Sequence, residues 1–318
     1  MSYAPTADRS ITSGIVTILL TVSAMALTDA FVKHASSDMT LWQIFVCRSL
    51  VALPLLLVLA KGRIRVNSWV WVCVRSTLLV AMYLAIYAAI PVLDLSVIAA
   101  TLYTSPLFIV LLSAVFRLEA ISKVHLVAVL VGFAGVLFVV QPAGAAFTPL
   151  SLIPVIAAFF YATAAVLTRA KCAREAPVTL AIALNVALII CGTIASIAVS
   201  IVQPAIAASY PFLLGKWTEM TPGSATTLVI MAVLIVAITV GLARAYQSPR
   251  PQVIATFDYA YLIFAAFWGF VFFGEVPEAS TMGGIFLIMM AGGLVLFFDR
   301  RPTNRPLCEA RLSLKADE

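Results

Sequence analysis

The stretch Val97-Ile98-Ala99-Ala100-Thr101-Leu102-Tyr103 returns 156 positions later as Val253-Ile254-Ala255-Thr256-Phe257-Asp258-Tyr259. Each copy runs on through apolar residues to a Phe and a Glu: Phe116-Arg117-Leu118-Glu119 and Phe272-Phe273-Gly274-Glu275. Residues 97–119 and 253–275 align without a gap. They match at Val97, Ile98, Ala99, Tyr103, Phe108, Val115, Phe116 and Glu119, eight of 23. A repeat at this spacing makes the fold two copies of one bundle.

The solvent of that bundle is lipid. Hydrophobic residues are 63% of the 318 and charged residues 11%, against roughly 45–50% and about 25% in soluble domains. Apolar runs of spanning length occur at 11–32, 39–60, 68–90, 95–116, 121–141, 149–169, 177–202, 223–246, 252–274 and 279–298. The first is too long for the apolar part of a signal peptide and lacks a clear cleavage site, so it stays as a helix. With the N-terminus in the cytoplasm, sixteen Lys and Arg fall in inner loops and tails, and only Lys33 and Lys216 lie outside. That bias follows the positive-inside rule, so the net charge of +6 does not point to nucleic acid. Trp42, Trp69, Trp71 and Trp217 fall at span ends, where interfacial anchors sit. The five cysteines form no C-x-x-C pair, and the two histidines, His34 and His125, are too few and too far apart for a metal cluster. The cysteines read as small apolar packing residues, and no metal or cofactor is expected.

Ten spans in two repeats means five per half, and an odd number puts the second half into the membrane upside down. The expected fold is therefore an all-α integral membrane protein with ten transmembrane helices as two inverted five-helix repeats. Its parts are a cytoplasmic tail at 1–10, repeats at 11–141 and 149–298, and a basic cytoplasmic tail at 299–318. The expected place is the bacterial inner membrane, multi-pass, with both termini in the cytoplasm. Repeats of this kind are typical of secondary transporters, whose substrate site lies where the halves meet. The longest connection, 203–222, is apolar for an external loop and either lies along the interface or gates the outer mouth.

The sequence resembles the drug/metabolite transporter superfamily in its ten-helix EamA-like branch. The resemblance covers 11–299 and rests on the two halves and on Tyr103-Thr-Ser-Pro106…Phe116-Arg-Leu-Glu119, echoed by Tyr259…Phe272-Phe-Gly-Glu275. It also rests on Asp29…Lys33 in the first span and Arg75-Ser76 in the third. Ala255-Thr-Phe-Asp-Tyr-Ala-Tyr261 followed by Gly274-Glu-Val-Pro277 is similar to members described as riboflavin or S-adenosylmethionine carriers. Asp258 departs from the neutral or basic residue expected before that Tyr. The resemblance implies a central cavity between the halves and alternating access.

Charged groups inside a bilayer cost roughly 2.5–3.5 kcal/mol each on insertion scales, so those retained are used or paired. Asp29 and Lys33 are one turn apart, which suits either mutual neutralisation near the outer surface or an ion pair or protonatable carboxylate at the outer mouth. Arg48 lies about 13 Å into the second span, at 1.5 Å per residue. It either holds an anionic substrate group or clamps the halves. Arg75 and Asp258 lie at comparable depth and can form a pair bridging the halves, or Asp258 titrates during transport. Asp258, Tyr261, Ala265 and Trp268 fall within roughly 80° of one helix face. Tyr83 and Tyr87 share a face of the third span, Tyr161 lies in the sixth, and Tyr103 and Tyr259 are repeat equivalents. Aromatic residues with a few polar tips suit a ring-bearing substrate, although ordinary packing explains each tyrosine taken alone. Pro106 would free a backbone carbonyl in mid-span, as a hinge or a static kink. Small residues on the fifth span (Ala128, Gly132, Gly135) and the tenth (Gly283, Gly284, Gly292, Gly293) permit close packing, or form a homodimer face.

The leading expectation is a secondary carrier for a small organic metabolite, riboflavin-like, S-adenosylmethionine-like or amino-acid-like, driven by a proton gradient or by the substrate's own gradient. A membrane sensor or scaffold is the alternative. A lipid-modifying membrane enzyme would need clustered carboxylates, an HExxH or a Ser/His pair, and the acids are scattered. No P-loop is present to bind ATP.

Overall fold

The computed structural model describes residues 5–62, 64–105, 108–109, 111–112, 123–140, 149–172, 174–202, 205–246 and 260–298. Among the described residues the regular elements are all helical. They are α1 (Pro5–Ala35), α2 (Leu41–Ala60), α3 (Trp69–Ala89), α4 (Leu95–Leu102), α5 (Lys123–Val140) and α6 (Ile153–Lys171). After these come α7 (Pro177–Val202), the short α8 (Pro211–Leu214), α9 (Pro222–Tyr246), α10 (Ala260–Phe273) and α11 (Ala279–Phe298). Two single 3₁₀ turns, Pro149–Leu152 and Ala205–Ala208, complete the described elements.

Among the described residues, five stretches are long and apolar enough to cross a membrane: Gly14–Ala35, Leu41–Ala60, Trp69–Ala89, Pro177–Val202 and Pro222–Gly241. Shorter apolar helices run at Leu130–Val139, Ile153–Thr168, Ala260–Phe273 and Ala279–Ala291. Their outer faces carry large apolar side chains in the open, among them Leu20, Val58, Phe133, Ile201 and Phe286. In water such a surface would drive aggregation; in lipid it needs no cover.

Local chemistry sets the helix ends. The Thr40 hydroxyl accepts from the Gln43 N–H to cap α2. The same helix stops where Lys61 and Gly62 take positive φ of 48° and 70°, left-handed geometry that glycine adopts at no steric cost. The fourth span departs from a single straight helix: α4 ends at Leu102, and Tyr103 and Thr104 form a turn. Pro106, expected to free a backbone carbonyl in mid-span, lies outside the described residues.

Among the described residues the helices pack around two large cores and a small one of Val72, Cys172 and Leu180. The first gathers Ile44 and Phe45 of α2, Leu79 and Tyr87 of α3, Ala157 of α6, Leu188 of α7 and Met231 of α9. The second gathers Ile18 and Ala26 of α1, Ala99 of α4, Val136 of α5, Tyr261 and Ala265 of α10 and Ile288 of α11. Trp268 packs against both. The main helix neighbours are α2–α7, α3–α6, α1–α9, α5–α11, α1–α10, α2–α9, α3–α7, α4–α10 and α4–α6. Glycine lets two of these pairs approach closely. A side chain at Gly192 of α7 would meet Val46 and the Trp42 carbonyl of α2, and one at Gly135 of α5 would meet the Gly284 carbonyl and Ile288 of α11. Gly135 and Gly284 thus fill the packing role expected of them, whereas Gly283 and Gly293 face open space.

The described part of the 203–222 connection, 205–221, is strapped to the α1–α2 turn and the start of α2. Trp42 Nε1 donates to the Leu213 carbonyl at 2.7 Å, Gln43 Nε2 to the Thr218 carbonyl at 3.0 Å, and Thr218 Oγ1 to the Asp38 carbonyl at 2.7 Å. Phe212 is buried beneath it. Trp42 is therefore a fastening of this strap as well as an aromatic at a helix end. Trp69 and Trp71 remain exposed, as interfacial anchors are.

Candidate functional site

Three of the polar groups among the described residues matter here: one joins the consecutive helices α2 and α3, and two join helices distant in sequence. The first centres on Arg48. Its position in the middle of an apolar helix buries it almost completely, at 1% exposure. Nη1 donates to the Tyr87 hydroxyl at 3.0 Å. The guanidinium lies 5.8 Å from the Tyr83 ring centroid and 5.7 Å from that of Tyr87, so its charge rests on two aromatic faces of α3. The two tyrosines are one turn apart, and their rings lie 5.5 Å from each other. Arg48 Nε is buried without a hydrogen-bond partner.

The second group centres on Asp29 of α1. The Tyr261 hydroxyl of α10 donates to Asp29 Oδ2 at 2.5 Å, and the Tyr261 ring stacks on Tyr103 at 5.1 Å with planes 21° apart. Asp29 is partly accessible, although Thr28 and Ala30 on either side are buried at 3% and 0%. Asp29 and Arg48 lie within electrostatic reach of one another.

The third group lies at one end of the bundle. Lys33 pairs with Glu275 and donates to the Leu93 carbonyl at 2.7 Å. Glu275 Oε2 accepts the Leu95 N–H at 2.9 Å, which caps the start of α4. The Lys33 ammonium lies 5.2 Å from the Phe273 ring. Burial, reinforced by Glu275, pushes the nearby Asp94 carboxyl above its usual range.

Of the two readings of Asp29 and Lys33, these contacts remove only mutual neutralisation one turn apart, since Lys33 pairs with Glu275 and Asp29 accepts from Tyr261. The two point to different partners on α10 and beyond it, because each finds a better acceptor or donor across the helix interface than one turn along its own helix. Arg75 takes a partner that sequence reasoning missed: Nε donates to Thr168 Oγ1 of α6 at 2.7 Å, while Nη1 is buried without a partner. Arg75 also lies within electrostatic reach of Tyr83 and of Tyr161, the latter 39% exposed on α6. Asp258 and Tyr259, expected on the transport path, lie outside the described residues, as does Pro106. Trp268 presents an unpartnered buried Nε1.

Glu175 was also missed. Its Oε1 accepts the Asn67 and Ser68 N–H groups at 2.8 and 2.9 Å, capping α3 from the loop after α6. Beside it, burial pushes the Cys172 thiol up. The one sequence signal for Glu175 was an acid in a loop otherwise basic, Arg169, Lys171 and Arg174. Glu275 did carry a signal, as the last match of the internal repeat.

The EamA-like transporter family model matches residues 12–141. A protein named pseudopaline exporter CntI from Pseudomonas aeruginosa (strain UCBPP-PA14) is 26% identical over 290 residues, covering 88% of this chain and 94% of that one. A riboflavin transporter from Vibrio cholerae is 25% identical over 209 residues, 65% of this chain and 64% of that one. An S-adenosylmethionine uptake transporter from Rickettsia bellii is 20% identical, covering 92% and 97%. A solved crystal structure, 16% identical, superposes with a TM-score of 0.60 over 92% of this chain and 98% of that one, a likeness of fold.

Proposed function

From a chain that carries an EamA-like domain at residues 12–141, we propose a secondary carrier that moves a small organic metabolite across the bacterial inner membrane by alternating access. The carrier is ten helices in two inverted five-helix repeats, 11–141 and 149–298, with both termini in the cytoplasm.

The pattern of helix neighbours supports the repeats. Let α1, α2, α3, α4 and α5 exchange with α6, α7, α9, α10 and α11. The α1–α9 contact then becomes α6–α3, α2–α9 becomes α7–α3, and α1–α10 becomes α6–α4. The α2–α7, α4–α10 and α5–α11 contacts map onto themselves. Each of these images is itself an observed contact, although the smaller α4–α5, α4–α11 and α7–α9 contacts have no counterpart of similar size. A two-fold arrangement of this kind gives two mirror-related states, one open to each side.

The observation that carries the functional reading is Arg48. A guanidinium at 1% exposure in an apolar helix, with one nitrogen unpartnered, lies within electrostatic reach of a carboxylate that the other repeat binds through Tyr261. Such groups inside a membrane mark substrate and ion pathways. The names of the relatives, exporters and uptake carriers of small metabolites, agree with a carrier rather than an enzyme. Purified protein in liposomes tests the reading. Uptake of riboflavin, S-adenosylmethionine or an amino acid above empty liposomes, with and without an imposed pH gradient, is expected; no uptake of any of them sinks it.

A further inference from the structure

The exposed charges divide between the two ends of the bundle. The turns 36–40, 90–94 and 274–278 and the strap 205–221 lie together at one end, joined by the Trp42, Gln43, Thr218 and Lys33 contacts. Asp38, Asp94, Glu219 and Glu278, the exposed acids among the described residues, all belong to that end. At the other end, the α2–α3 link exposes Lys61 and Arg65, and the end of α6 with its following turn exposes Lys171 and Arg174. The acid there, Glu175, is 7% exposed and faces the backbone N–H groups of Asn67 and Ser68. Among the described residues, the ion pair within 4.0 Å is Lys33 with Glu275, at the acidic end.

The basic end is built. Glu175 fastens the turn after α6 to the start of α3, and Asn67 Nδ2 donates to the Arg174 carbonyl at 3.2 Å. The Lys171 ammonium lies 5.4 Å from the Trp71 ring, which holds it against α3 through the face of the indole. Val72, Cys172 and Leu180 pack beneath. Trp69 and Trp71 are 68% and 37% exposed, as indoles at the level of lipid headgroups are. From these rings an apolar stripe runs along α3: Val70, Cys73 and Val74 are exposed, and their i, i+3, i+4 spacing puts them on one face. Basic ledge, aromatic rim and apolar stripe follow one another in the order of the phosphate, glycerol and acyl chain of a phospholipid. We propose that this ledge holds an anionic phospholipid, its phosphate against Lys171 and Arg174 with Arg65 beside them, and an acyl chain along Val70 and Val74.

The chemistry favours this occupant over other anions. Membrane insertion by the positive-inside rule puts cations at one end, but it does not require one of them to sit on an indole or two links to be tied together. Free phosphate would use the charges and leave the stripe idle. Phosphatidylcholine would use the stripe and bring its own cation to a basic ledge. An acidic protein or a nucleic acid would approach from water and gain nothing from Val70 and Val74. An anionic glycerophospholipid uses both parts. Basic pockets between spanning helices bind such headgroups, and the apolar stems of Lys and Arg lie along the bundle while their charges reach the phosphate. The occupant would bridge α3 and α6, the helices that Arg75 and Thr168 join deeper in the bundle.

The test uses the full chain purified in a neutral detergent. Phosphatidylglycerol, phosphatidylcholine and inorganic phosphate are titrated separately, and bound molecules are counted by native mass spectrometry. The expected result is saturable retention of phosphatidylglycerol, about tenfold or more tighter than phosphatidylcholine and weakened by salt. Lys171→Gln with Arg174→Gln should weaken it about 25-fold, from about fivefold for each charge removed near the headgroup. Lys216→Gln, at the acidic end, should leave it unchanged. Equal retention of the two lipids overturns the proposal, as does a double variant that binds phosphatidylglycerol like the parent. Inorganic phosphate bound as tightly as phosphatidylglycerol would make this a free-anion site and overturn it too. The comparison of ligands is read on the unaltered protein, so a poorly folding variant does not spare the proposal.

Discussion

Lys33 at the end of α1 is ion-paired with Glu275, 242 residues further along the chain, and Glu275 in turn accepts the first N–H of α4. One carboxylate therefore ties together α1, the turn before α4 and the end of α10. In the proposed two-repeat arrangement it joins the two halves at one end of the bundle. A contact made in one state of an alternating-access carrier and broken in the other would sit at such a place.

The pair has an energetic signature. Lys33→Ala and Glu275→Ala should each lower stability by about 1–3 kcal/mol, the cost of leaving a desolvated partner. Glu275→Ala should cost more, because the Leu95 N–H also loses its acceptor. The double variant should lose less than the sum of the singles by about 1 kcal/mol or more, since the residues are in contact. Unfolding in detergent measures all three, and strict additivity would remove the coupling.

Tyr261→Phe keeps the ring stacked on Tyr103 and removes only the hydroxyl on Asp29. Membrane yield and size-exclusion profile should stay normal, and liposome uptake of the substrate should fall by about tenfold, as for loss of one charge-assisted hydrogen bond. Unchanged uptake would show that the Asp29–Tyr261 contact is packing alone.

Glu175 caps α3 with one oxygen shared by two backbone N–H groups. Glu175→Ala should destabilise by about 1–2 kcal/mol, in the range of a lost helix cap, and Glu175→Gln should recover most of it through its amide oxygen. Equal melting of Ala and Gln variants would contradict the cap.

The glycines divide by what lies opposite them. Gly135→Val and Gly284→Val push a branched side chain into the backbone of the facing helix. Each should cost about 1–3 kcal/mol or prevent folding, as overpacking does. Gly283→Val faces open space and should melt within about 0.5 kcal/mol of the parent, as substitutions away from packed features do. A large loss at Gly283 would mean that another surface covers α11, such as a second copy of the chain.

Orientation is testable by labelling. Lys216 and Lys171 are both exposed, and the proposed ten-span topology puts them on opposite sides of the membrane. In a background lacking the exposed Cys73, Lys216→Cys should react with an impermeant thiol reagent on intact cells, and Lys171→Cys only after lysis. The reverse pattern would overturn the topology.

Much of this protein is legible along the chain because lipid imposes one rule everywhere. A segment that crosses it must satisfy its own backbone and present apolar side chains. That rule fixes α2, α7 and α11 to within two residues of the runs read from composition. The internal repeat likewise marks Glu275 before any contact is known. The same rule explains what stays hidden. Inside a bundle each polar group takes whichever partner the packing of distant helices brings, and spacing along one helix does not encode that choice. So Asp29 and Lys33, neighbours in sequence, part company for Tyr261 and Glu275. Arg75 finds Thr168, and Glu175 reaches back to the start of α3. The sequence by itself determined the solvent, the spans and which residues would be costly to keep in the membrane. Only the tertiary structure decided which of those charges touch and which are held apart, because that depends on distances between helices that no local pattern records.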